Sequence, residues 1–246
     1  MMRWWKPTNT LNNNARRVLV TGSRGALEYS ASADRWAVLH GQPGWRAGFT
    51  ATGQRVLVNR YCVLLYDADP MVPPDANAAR EQGLIGAADE VVVLKSKRRL
   101  ELRRGGEVMR SFPVALGGNP EGHKLQEGDQ RTPEGRYLLD GRNPQSAFFL
   151  ALRVSYPNAE DVRQARERGV APGNNIMIHG LPNEPKHPSR QYLQSDWTDG
   201  CIAVSNSAMI DIWLSVRDGT PITAMGTENI TTNGSLSDSY REAITM

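Results

Sequence analysis

The chain has 246 residues, 39% apolar and 22% charged, with 23 Gly and 15 Pro. This is a globular, turn-rich composition that excludes collagen-like and coiled-coil architectures, and no window of about 18 apolar residues exists from which to build a membrane-spanning helix. The net charge of +3 is uneven: 10 Lys/Arg stand against 6 Asp/Glu up to residue 88, and 19 against 20 beyond it. The basic bias therefore belongs to the front, and the basic face expected of a nucleic-acid enzyme is missing from the rest.

Residues 1–88 show little periodicity and read as an extension of low regularity. The one apolar cluster, Arg55 to Tyr66, is interrupted by Asn59 and Arg60 and followed by Pro70, Pro73, Pro74 and Ala76-Asn-Ala78. A basic residue, a short apolar run and an Ala-x-Ala site outline a secretory signal, but the run is too short and about sixty residues too late.

From residue 89 the pattern changes. Val91–Ser96 is a strand candidate, Arg98–Arg103 alternates, Gly105-Gly106 suits a hairpin turn and Val108–Leu116 returns. The polar loop 117–133 contains four glycines. Strands are then expected at Arg136–Leu139, Phe148–Ser155, Ile176–His179, Cys201–Val204 and Pro221–Ala224. Asn158, with Glu160 and Asp161 behind it and Gly169 at the far end, frames one helix; Asn206 is expected to cap a second, with Met209, Ile210, Ile212, Trp213 and Val216 apolar and Gly219 as its stop. Many short strands and two helices make a β-rich α+β domain over 89–226, followed by a polar tail, 227–246. The Arg98/Arg99 and Arg103/Arg104 pairs read as solvated hairpin faces, and Arg153, Tyr156 and Asn158 as structural.

The informative stretch is Asp196-Trp-Thr-Asp-Gly-Cys-Ile-Ala-Val-Ser-Asn206. Glycine before a cysteine at the entry of an apolar strand makes a tight turn whose amides can converge beside the sulfur, the arrangement an acyl-transfer nucleophile needs. A buried structural cysteine has the same local signature, and a bridge from Cys62 to Cys201 is also open. A nucleophilic thiol needs a base or cation beside it. Of the histidines at 40, 123, 179 and 187, His179 stands at a strand end before Gly180. His123 and His187 lie in polar loops and read as solvated, with His187 a possible rim residue; ligand spacing for a metal is missing. Trp197 either walls a substrate groove or packs under the turn.

Ile178-His-Gly180 followed by Thr198-Asp-Gly-Cys-Ile202 resembles the catalytic signature of the L,D-transpeptidase (YkuD-like) family, and Arg131-Thr-Pro-Glu-Gly-Arg-Tyr137 resembles a hairpin of the same family; the resemblance covers about residues 90–225. It implies a YkuD-like β-sandwich with two short helices. It further implies Cys201 as nucleophile, His179 as general base, backbone amides at Asp199, Gly200 and Cys201 as oxyanion donors, and Trp197, Thr198, Asp199 and Gly180 as substrate contacts. The substrates implied are peptidoglycan stem tetrapeptides, cleaved before the terminal D-Ala and passed through a thioester to an amine of another stem or of an envelope-protein lysine; the alternatives are a hydrolase, an L,D-carboxypeptidase or amidase with water as acceptor, and a non-catalytic cell-wall-binding module. No metal or cofactor, nucleic acid or membrane span enters, and a monomer in the cell envelope, in the periplasm, is expected. Asp199 stands where the family usually has His, and Ala203 where it has Arg or Asn, as in a branch carrying Trp-Thr-Asp-Gly-Cys-Ile-Ala-Val. The carboxylate of Asp199 opposes a thiolate two residues away, so it is expected either to point away from Cys201 or to be neutralised by a cation, the His179 imidazolium or a substrate amine.

Overall fold

The computed structural model describes residues 88–226 continuously and, before them, the strands β1 (Pro7–Asn14), β2 (Arg17–Gly22), β3 (Gly25–Ser30), β4 (Arg35–His40), β5 (Arg46–Phe49), β6 (Arg55–Val58) and β7 (Val63–Tyr66). β1–β4 form one antiparallel sheet in sequence order and β5–β7 another. Regular strands thus occur inside the stretch read as poorly regular, and the apolar cluster is divided between β6 and β7. Val56 of β6 is fully buried in the same cluster as the domain that follows. Cys62, the Ala76-Asn-Ala78 site and residues 227–246 lie outside the described residues.

The domain from residue 88 is an eight-stranded mixed sheet of β8 (Glu90–Leu94), β9 (Arg99–Arg104), β10 (Glu107–Pro113), β11 (Gly135–Ser146), β12 (Phe149–Val154), β13 (Met177–His179), β14 (Ile202–Ala203) and β15 (Thr220–Met225), in the order β10-β9-β8-β15-β11-β12-β13-β14. Two pairs, β8–β15 and β13–β14, are parallel; the rest are antiparallel. Gly105 and Gly106 take φ of 58° and 83° between β9 and β10, as a two-residue hairpin requires.

The sheet curls until its ends meet. Past β10 the chain runs beside β14, where Ala115 and Ala203 exchange backbone hydrogen bonds of 2.8 and 2.9 Å. Strand alternation then turns Val91, Val93, Leu100 and Leu102 from one half, and Leu150, Leu152, Ile178 and Ile202 from the other, into one core. This is the expected β-rich α+β fold.

Helix α1 (Ala159–Glu167) is capped as its sequence predicts: Asn158 accepts from the amides of Glu160 and Asp161, Asp161 answers to the Asn158 amide, and Gly169 follows at φ 68°. Helix α2 (Asn206–Ser215) fills the core, buried from Ala208 to Ser215. Its cap is Ser205, whose hydroxyl accepts from Ala208 N–H, rather than Asn206. The Asn206 carboxamide turns outward from the helix and accepts from the amide of Leu181, at 2.8 Å. Val216 closes the helix, ahead of Gly219. No helix among the described residues is long and apolar enough to cross a membrane.

Candidate active site

The site lies on the sheet face that turns away from the core. Ile178 pairs with Ile202 and both point inward, so the alternation puts His179, paired with Ala203, and Met177 outward. Carried one residue back from Ile202, it sets Cys201 on that same outward face. Cys201 is a free thiol of intermediate exposure, which removes the Cys62–Cys201 bridge. Its Sγ donates to the Asn175 carbonyl at 3.5 Å and receives the Met177 N–H.

The turn that presents Cys201 is built by its neighbours in space. Arg98, at φ 49°, grips Asp196 through Nε and Nη2, with a shortest distance of 2.7 Å, and Asp196 also accepts from Leu116 N–H. The amides of Trp197 and Thr198 donate to Leu116 O. Arg98, its side chain 39% exposed, is therefore a clamp on the turn and not merely a solvated hairpin residue. Arg99 and Arg103 bond Ser111 and Glu101 on their own hairpin. Within the turn, Thr198 is 5% exposed; its hydroxyl donates to Cys201 O at 2.7 Å and accepts from Gly200 N–H. Gly200 has φ 118°, and a Cβ there would stand 2.6 Å from Arg131 O, so only glycine fits.

His179 is 4% exposed. Its Nδ1 bonds Gly180 O at 2.7 Å, which assigns the proton to Nδ1 and leaves Nε2 as the acceptor. Gly180 itself is packed so closely that a Cβ would meet the Asn206 side chain at 2.6 Å. Phe148 lies against the imidazole at 4.6 Å between centroids and Trp197 meets it edge-on at 5.9 Å. Trp197 is fixed by its Nε1–H to Tyr192 O. Burial lowers the His179 pKa, against the Gly180 hydrogen bond that raises it. Burial also pushes the Cys201 thiol up, with Asp199 adding to the rise; the Met177 amide and Lys124 pull the other way. Burial thus disfavours the charged form of both groups, the imidazolium and the thiolate.

The L,D-transpeptidase catalytic domain model matches residues 88–223, more than half of the chain. The chain belongs to this family. Solved structures similar to this L,D-transpeptidase-family chain include the helical cell shape determining protein Pgp2 from Campylobacter jejuni, 25% identical over 56% of this chain and 47% of that one, with a TM-score of 0.44. Bdellovibrio bacteriovorus Bd1075 is 23% identical over 63% and 53%, with a TM-score of 0.41, and the catalytic domain of the Enterococcus faecium L,D-transpeptidase 12% identical over 55% and 95%, with a TM-score of 0.37. The chain spans about half the length of the first two. No curated protein sequence matches it.

In this family member Gly180 and Trp197 touch His179, and Thr198 bonds Gly200 and Cys201. Thr198 and Gly180, expected to touch substrate, are buried and act on the turn and on the imidazole. The Gly200 amide, expected as an oxyanion donor, is occupied by Thr198. Asp199 is exposed and accepts from Gln130 Nε2 at 3.3 Å, so the pairing with His179 is not made. His123, expected to be solvated, has Nε2 3.1 Å from Asp161 and Nδ1 against Glu134. His187 is exposed and reaches the site only through Tyr192 and Trp197. Ala203 is fully buried beside Ala115. Sequence reasoning passed over Phe148, Lys124, Asn175 and Met177. Phe148 stands one residue before β12 and Asn175, at φ 59°, two residues before β13; a run along the chain shows neither the φ nor the contacts.

Proposed function

We propose that the chain is a cysteine acyltransferase on peptidoglycan stem tetrapeptides, with Cys201 as nucleophile and His179 as general base. The observation that carries this reading is a buried imidazole, its Nδ1 held by Gly180 O, on the same sheet face as a free thiol. As the sulfur attacks the carbonyl before the terminal D-Ala, its proton passes to His179 Nε2; no preformed thiolate is needed, as in general-base activation of a neutral nucleophile. The amides of Asp199 and Cys201 meet the developing oxyanion, while Gly200, bonded to Thr198, shapes the turn. Lys124 and the Met177 N–H favour negative charge on the sulfur. His179 then protonates the departing D-Ala amine, leaving a thioester. An acceptor amine, from a second stem or an envelope-protein lysine, gives up a proton to His179, attacks the thioester and releases the thiol. Water in the same place gives L,D-carboxypeptidase hydrolysis.

Asp199, bonded only to a neutral amide at the rim, is the group that meets a substrate ammonium. The substrate locates the activity in the cell envelope, on the periplasmic side. The full chain incubated with a stem tetrapeptide is expected to gain the mass of the stem less D-Ala, and Cys201→Ala to gain nothing and lose all turnover. Cross-linked stems rather than tripeptide identify the amine as acceptor. Turnover by Cys201→Ala would overturn the covalent route.

A further inference from the structure

One short segment holds the catalytic turn on both sides of the sulfur. Downstream of Cys201, Ala115 exchanges backbone hydrogen bonds with Ala203; upstream of it, Leu116 O takes the amides of Trp197 and Thr198, and Gly118 N–H donates to Thr198 O. Arg98 ties down this segment and the turn together. Its carbonyl accepts from Val114 N–H at 3.0 Å, at the head of the segment. Its guanidinium grips Asp196, at the head of the turn, and Asp196 accepts in turn from Leu116 N–H at 2.9 Å.

Arg98 does this from a strained backbone. It closes the 3-10 turn Lys95–Lys97 at φ 49° and ψ 48°, the left-handed region, which disfavours a residue with a Cβ and which glycine adopts freely. The backbone bond that closes this turn, Arg98 N–H to Lys95 O, needs no side chain. The arginine is explained by what its guanidinium holds. The foot of the clamp is rigid as well: Lys95 is 2% exposed, and its ammonium donates to Gly122 O, Thr132 O and Glu134. A planar guanidinium on a carboxylate fixes direction as well as distance.

We propose that Arg98 is a positioning residue for acyl transfer: through Asp196 and Leu116 it aims the Asp199 and Cys201 amides at the developing oxyanion. The proposal rests on the acyl-transfer reading and adds to it a residue that acts from outside the reacting groups. It separates two reactions of one sulfur. Attack on a carbonyl builds an oxyanion and depends on the aim of the amides, whereas alkylation builds none and does not. The guanidinium is also within reach of solvent, beside an open cleft of about 560 Å³ lined by Ser96, Pro120 and Glu121, so a small cation has a way in once the side chain is removed.

The test uses the full chain and Arg98→Gly, which suits the left-handed backbone and deletes the guanidinium alone. Cys201 is acylated by a stem tetrapeptide and by p-nitrophenyl acetate, an activated ester that needs no stem recognition, and is alkylated by iodoacetamide. Arg98→Gly is expected to slow both acylations about 100-fold, for the stem in kcat with KM kept within about twofold, and to leave the pH profile of alkylation unchanged. Asp196→Asn should reproduce the loss, and the double variant should be no slower than either single one. Millimolar guanidinium, well below denaturing concentrations, should speed acylation of Arg98→Gly, and methylammonium, which lacks the planar fork, should not. Acylation within about twofold of the parent overturns the proposal, as do losses that add in full in the double variant. Alkylation that slows in step with acylation marks general destabilisation and overturns it too. A parent chain that takes the ester but not the stem defeats the peptidoglycan reading instead, and the ester still decides Arg98.

Discussion

Two polar loops converge on Cys201, and they are stabilised in opposite ways. The loop 117–133 carries its own polar interior. Lys124 is 4% exposed and bonds Asp129 at 2.7 Å, and Asp129 also accepts the amides of Leu125, Gln126 and Arg131. Against the desolvation of burial, these donors hold the Asp129 carboxyl below its ordinary range. Thr132, wholly buried, accepts from Gly117 N–H and offers its carbonyl to the buried Lys95. The turn 196–201 has only Thr198 bonded within it. Arg98 and Leu116 clamp it from outside through Asp196, and Asp199 and Cys201 are left outward. One loop is a wall and the other a mount for reactive groups, and composition alone does not separate them: polarity says nothing of burial when each polar group has a partner.

The largest expected effect breaks the wall. Lys124→Met takes the cation from the half-buried Asp129 carboxylate, which keeps its three amide donors, at a cost of about 2–3 kcal/mol, read from denaturant unfolding. A loss under about 1 kcal/mol would return the loop to the class of solvated surface loops. The contact between the two loops comes next. Gly200→Ala puts a methyl group against Arg131 O at positive φ, which is expected to cost about 1–3 kcal/mol and, by shifting the sulfur, about 100-fold in the rate of Cys201 acylation. Wild-type acylation rates in this variant would show that the turn is not held by the wall.

The charge states sharpen the comparison with smaller effects. His179 acts as base only when neutral and burial lowers its pKa, so acylation should rise with pH through a midpoint below the ordinary histidine value of 6.5 and then level off. Simple alkylation of Cys201 follows the thiolate and should rise through a midpoint above the ordinary thiol value of 9.0. An acylation midpoint above 7 would contradict the buried imidazole. The smallest effect separates wall from mount by sign: Asp199→Asn removes a charge that raises the thiol and should move the alkylation midpoint down, whereas Lys124→Met should move it up. Shifts of the same sign would disprove the electrostatic division between the loops.

Much of this was readable along the chain. The strands from residue 90, the Gly105-Gly106 turn, the Asn158 cap with its Gly169 stop, and the Gly-Cys and His-Gly pairs all depend on backbone geometry and near neighbours, which sequence records directly. The Ser205 cap was misread by one residue because Ser and Asn compete for the same role, and Asn206 is drawn off by Leu181, 25 positions away. Arg98 read as solvated because its partner, Asp196, lies 98 residues further on.

The sequence by itself therefore determined most of the elements and the family resemblance. Tertiary structure alone decided that the sheet closes through Ala115 and Ala203, that Thr198 and Gly180 serve the turn and the imidazole, and that burial acts on the proton affinity of both His179 and Cys201. It alone joined Arg98 to Asp196 at the head of the catalytic turn. The physical reason is that propensity and alternation are local, whereas burial, and with it proton affinity, depends on groups that only folding brings together.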